Sequence, residues 1–93
     1  MSLPTTDRFD VCGSWSLNPQ VSLRDEAFGA LAYHHGTRRL VFLKSRELVE
    51  LVRQLDAFDS ADAAITQFAP AEQHARYVTA LSSLARSEIL SER

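Results

Sequence analysis

The chain has 93 residues, 45% hydrophobic and 24% charged, and its ten Lys and Arg against twelve Asp and Glu give a net charge of −2. A chain of this length buries only about 60–65% of its unfolded surface, so it holds one domain with a thin core and few apolar side chains to spare for a deep catalytic pocket. The negative balance removes the bulk attraction that nucleic-acid binders rely on. The single cysteine, Cys12, excludes an internal disulfide and a multi-cysteine zinc site, and no apolar run or signal-like start suggests a membrane, so a cytoplasmic location is expected.

Residues 1–14 mix Pro, Thr, Asp, Gly and Ser without period and read as a flexible tail, leaving 15–91 as the folded domain. Trp15, Leu17, Val21 and Leu23 fall on odd positions, the period of a half-buried strand, with Asn18-Pro19 bending or interrupting it. "RDEA" is expected to turn the chain into a second strand, Phe28 to His35, and "GT" to turn it again into a third, Arg38 to Lys44. A two-residue loop with Gly36 first fits a type II′ turn, which places Tyr33 opposite Leu40 and Leu31 opposite Phe42. Those four side chains share one face and make the expected core face; Phe28, Ala30, Ala32, Val41 and Leu43, with His34 and Arg39, lie on the other.

After Lys44 the period changes to 3.6. Ser45 caps a helix that would bury Leu48, Leu51, Val52 and Leu55, spaced i, i+3, i+4, i+7. A short second helix starts near Asp59 or Ser60 and offers Ala61, Ala64, Ile65 and Phe68. Pro70 suits the first turn of a third, which runs to about Arg86 with Tyr77, Val78, Leu81, Leu84 and Ala85 on its apolar stripe. Ile89 and Leu90 stand where they can fold back onto the core. The expected fold is α+β and winged-helix-like, a three-stranded antiparallel sheet followed by three helices, with the third strand at an edge.

The residues offer no catalytic constellation. His34 and His35 are strand neighbours that point to opposite faces, His74 has no second His at i+4, and Cys12 has no scaffold to hold a base against it. No Gly-rich phosphate loop, nucleophile elbow or paired-carboxylate motif occurs, so neither an enzyme, a metal site nor a cofactor is expected. Arg38-Arg39 at a hairpin tip suits the wing of a nucleic-acid-binding or regulatory winged helix, but the third helix mixes Glu72, Gln73, His74, Arg76 and Arg86 rather than presenting a basic face. The edge strand is either an idle margin of the core or an acceptor for a partner's strand, and from the residues alone both stay open. A homodimer through the same edge, or through the Ala30, Ala32 and Val41 face, is a further option.

The stretch "QVSLRDEAFGALAYHHGTRRLVFLKSRELVELVRQL" resembles the MftB family, the PqqD-like precursor-binding chaperones of the mycofactocin system. The likeness runs from about Trp15 to Leu90 and is most specific in "LR-E-FGAL-YH-GTRRL-FLKS". It implies a recognition element that binds the leader of a ribosomally made precursor peptide and presents it to a radical SAM maturase. The leader would add as a strand beside Arg38, Arg39, Leu40, Val41, Phe42, Leu43 and Lys44 and lie against Tyr77, Val78, Leu81 and Leu84. A proline at Val41 is the expected way to block it. Asp25 and Ala27 depart from the family pattern, which leads one to expect prolines there, and His35 stands where an aromatic is more usual.

Overall fold

The Asn18-Pro19 bend divides the first expected strand in two. In the computed structural model, which describes residues 9–93, Trp15–Leu17 forms β1 and Val21–Glu26 forms β2. Between them the Asn18 side-chain oxygen accepts from the Gln20 N–H and the Asn18 carbonyl from the Val21 N–H, each at 2.9 Å. This turn lets β1 leave the main sheet and pair with a C-terminal strand, β5 (Leu90–Glu92), with Leu17 opposite Leu90. The main sheet continues with β3 (Gly29–His34) and β4 (Leu40–Leu43), in the antiparallel order β2-β3-β4. Three helices follow: α1 (Arg46–Gln54), α2 (Ala61–Phe68) and α3 (His74–Arg86). The α+β arrangement agrees with the sequence reading.

The cap read at Ser45 is made, and the second helix, expected to start near Asp59 or Ser60, is capped by Ser60. Ser45 Oγ accepts from the Leu48 N–H at 2.9 Å, and Ser60 Oγ from the Ala63 N–H at 3.1 Å. Pro70 precedes a short 3-10 turn, Ala71–Gln73, so α3 proper begins at His74. At its far end Glu88 takes a left-handed φ of 63°, while Ile89 N–H reaches the Leu84 carbonyl and Glu88 N–H the Ala85 carbonyl. This is a Schellman stop built without glycine, and it reverses the chain so that Ile89 and Leu90 are buried.

Three sequence expectations are corrected. Arg24, Asp25 and Glu26 belong to β2, and the first hairpin turns at Ala27-Phe28. Gly29, at φ +149°, follows it, and a Cβ there would collide with the Leu43 carbonyl. The second hairpin is not a type II′ turn: Arg38, not Gly36, has the positive φ of 63°. Its Arg38 N–H donates to the His34 carbonyl at 2.7 Å and His34 N–H to the Arg39 carbonyl at 2.9 Å. Gly36 is required for space, since a Cβ there would meet the Gln20 side chain and the His34 ring.

The third correction concerns the faces. The register is as expected, Tyr33 opposite Leu40 and Leu31 opposite Phe42, but the buried face is the other one. Ala30, Ala32 and Leu43 lie in the core with Leu51, Leu55, Ile65 and Leu81, whereas Leu40 and Phe42 are 53% and 55% exposed. Small alanines at the centre of β3 let the large side chains of the helices approach the sheet closely, which Leu31 and Tyr33 would prevent.

Of the stretch 1–14, residues 1–8 lie outside the described residues. Residues 9–14 pack on the domain: Phe9 stacks on Trp15 with ring centres 5.0 Å apart, and Val11 and Gly13 carbonyls accept from Asp62 and Ala61 at the start of α2. No helix among the described residues is long and apolar enough to cross a membrane.

Candidate functional site

Among the described residues β4 pairs with β3 on one side only, which leaves its outer margin open. The His34 N–H to Arg39 carbonyl bond fixes the phase of the ladder. In an antiparallel pair, hydrogen-bonded and non-hydrogen-bonded positions alternate, so Arg39, Val41 and Leu43 bond inward to His34, Ala32 and Ala30. Leu40 and Phe42 therefore turn their N–H and C=O groups to the open side. The expected block at Val41 is misplaced: its N–H holds β4 to β3, and a proline there would break the sheet itself. The N–H groups that a guest would meet belong to Leu40 and Phe42.

A groove runs beside this margin on the helix side. Lys44, Ser45, Leu48, Arg76, Tyr77 and Ala80 line a depression of about 200 Å³ between the end of β4, the start of α1 and the exposed flank of α3. Leu48, which its helical spacing assigned to the core, is only half-buried and forms part of this wall, while Val49 takes its place inside. Tyr77 and Val78 are likewise half-buried. Leu81 and Leu84, at 0% and 4% exposure, are core residues that support α3 from beneath, and Leu43 is buried with them. The structure thus brings Lys44 and Tyr77 together at one groove and adds Leu48, Arg76 and Ala80, which the sequence did not assign to the peptide site.

The charge around the margin is positive. Arg38, Arg39, Lys44 and Arg76 are exposed, and none forms an ion pair with a carboxylate among the described residues. The hairpin that carries Arg38 and Arg39 is held by a buried imidazole. His34, 4% exposed, accepts from the Gly36 and Thr37 N–H groups at Nδ1, each at 3.0 Å, and its Nε2 lies 3.3 Å from the Asn18 side-chain nitrogen. His35 bonds Ser22 Oγ at 2.7 Å, and His74 meets Asp62 at 2.6 Å. All three histidines therefore serve hydrogen bonding, and no three His, Cys, Asp or Glu side chains converge among the described residues.

Comparison with known proteins agrees with a peptide-handling role. A sequence model of the peptide chaperone MftB family matches residues 14–91. The chain is 46% identical over 83 residues to peptide chaperone MftB of Mycolicibacterium smegmatis, covering 88% of this chain and 81% of that one. It is also 46% identical over 83 residues to the Mycobacterium ulcerans protein of that name, covering 88% and 76%. Peptide chaperone MftB of Mycobacterium tuberculosis is 39% identical over 89 residues, covering 95% and 82%. No solved structure matches.

Proposed function

Because the chain belongs to the peptide chaperone MftB family, a non-catalytic one, we propose that it binds the leader segment of a ribosomally made precursor peptide by adding it as a strand to β4. The bound leader is then presented to a radical SAM maturase. The observation that carries this reading is the open margin of β4, with two residues turned outward beside a groove that leads to α3. Backbone pairing alone is too weak. Leu40 and Phe42 each offer one N–H and one C=O, and each hydrogen bond nets about 0.5–1.5 kcal/mol. Ordering a flexible peptide costs about 2–5 kcal/mol, which offsets most of that. Side-chain burial must therefore supply the useful affinity, at about 25 cal/mol per Å² of apolar surface.

The groove provides that surface. Leu48, Tyr77 and Ala80 give an apolar wall, and Lys44 and Arg76 at its rim suit acidic leader residues. Exposed charges of this kind set rate and specificity more than affinity, so binding should weaken as salt rises. The test is anisotropy of a labelled synthetic cognate precursor peptide titrated with the wild-type chain and with Phe42→Pro. The proline removes an outward N–H on an edge strand, where the fold tolerates it. Loss of binding in a variant with an unchanged melting curve supports strand addition; undiminished affinity refutes it. Duplex DNA titrated in parallel covers the winged-helix reading, which requires steeply salt-dependent binding.

A further inference from the structure

The large exposed apolar side chains among the described residues gather on one surface. Phe28, Leu40 and Phe42 are 45%, 53% and 55% exposed. Phe42 lies opposite Leu31 and Leu40 opposite Tyr33 on the sheet face turned away from the helices, and the Phe28 and Phe42 rings are 5.8 Å apart. This apolar face spans β3 and β4 and stops at the open margin. An exposed patch of this kind carries a cost in solubility and marks a binding surface.

We infer that Leu40 and Phe42 read the guest strand directly, so that the bound peptide is selected on both its faces rather than through the α3 groove alone. The inference rests on the strand-addition reading and deepens it. Side chains directly opposite one another on paired strands share a face, about 4.5–5.5 Å apart at Cβ. Leu40 and Phe42 both supply the outward hydrogen-bonding groups and carry their side chains on the outer face. Guest residues paired with them must therefore project onto the outer face, two positions apart, beside these two side chains. The residue between them, level with Val41, points to the helix side of the sheet, the side on which the groove lined by Leu48, Tyr77 and Ala80 lies.

The ligand so specified is a short extended segment with apolar side chains at i and i+2 for the outer face and at i+1 for the helix side. Acidic residues flank it, opposite Arg38 and Arg39 at one end of β4 and Lys44 at the other. Three consecutive apolar residues are the signature of a strand covered on both faces. The guest's outer side chains extend the Phe28, Leu31 and Phe42 surface across a fourth strand, so the patch is completed by the peptide.

Phe42→Thr, Leu40→Thr and the double variant test this with the same labelled precursor peptide. Threonine keeps the strand preference, and the positions are solvent-exposed, so thermal melts should match wild type. The dissociation constant should rise about tenfold for Phe42→Thr and about fivefold for Leu40→Thr. A peptide with threonine at the paired i or i+2 position should lose affinity for wild type but little more for the matching variant. Unchanged affinity in the double variant, with Phe42→Pro still abolishing binding, overturns the inference and assigns the patch to another protein or a second copy. Full binding by Phe42→Pro overturns strand addition and this inference together.

Discussion

Among the described residues the sheet has two free edges, β2 and β4, and they are built in opposite ways. Along β2 the charges satisfy one another: Arg24 meets Glu26 at 2.7 Å, and Asp25 meets Arg53 of α1 at 2.7 Å. An edge studded with mutually paired charges is a poor template for a further strand. Along β4 the exposed side chains of Leu40 and Phe42 are apolar, and the neighbouring Arg38, Arg39 and Lys44 lack a carboxylate partner among the described residues. With β4 as the proposed accepting edge, the difference implies that edge exposure alone does not make a binding site. An accepting edge needs apolar side chains beside its free backbone groups and charges not already neutralised.

The sharpest way to break the comparison is a proline on each edge. On β2 the ladder pairs Ser22, Arg24 and Glu26 inward to Tyr33, Leu31 and Gly29, so Asp25 has an outward N–H as Phe42 does. Phe42→Pro should weaken peptide binding at least 100-fold in an anisotropy titration, whereas Asp25→Pro should leave it unchanged. The family resemblance, which leads one to expect proline at position 25, fits an edge that has no guest to pair with.

Next in size is the support of the β4 hairpin. His34→Ala removes the acceptor for the Gly36 and Thr37 N–H groups and should cost about 2 kcal/mol of stability in a denaturant titration. The equivalent hairpin of β2 and β3 has a two-residue loop with no buried side chain to lose. Charge reversal of Arg39 and Lys44 together should reduce peptide affinity up to about tenfold at low salt, with the difference fading as salt rises. Smallest is Asp25→Asn, which breaks a well-exposed ion pair and should change stability by less than about 0.5 kcal/mol and affinity not at all.

The β4 edge was legible in the chain, but the charged β2 edge, read as a turn at Arg24 to Ala27, was not, nor was which face of the sheet is buried. The helix cap at Ser45 follows from local chemistry, and the register of β3 with β4 came out right although the turn assumed for it was of another type. The buried face was not, because β3 and β4 are apolar on both sides and alternation does not say which side meets the helices. Its clue was size: Ala30 and Ala32 are too small to form a core except beneath larger side chains from another layer. Leu48 was misassigned for a related reason, since a helix periodicity marks a stripe and not which end of it a groove will uncover. β5 escaped notice because its turn depends on Glu88 adopting a left-handed conformation that favours glycine. Its pairing with β1 is also remote in sequence.

The central claim is that the backbone of Leu40 and Phe42 receives a guest strand. Residue-resolved amide hydrogen exchange, with and without saturating precursor peptide, measures this directly. Strand addition predicts fast exchange at the Leu40 and Phe42 amides in the free chain, slowed at least tenfold by peptide, with the Leu23 and Asp25 amides of β2 unaffected. Unchanged exchange at Leu40 and Phe42 with peptide bound, or protection that appears along β2 instead, would contradict it.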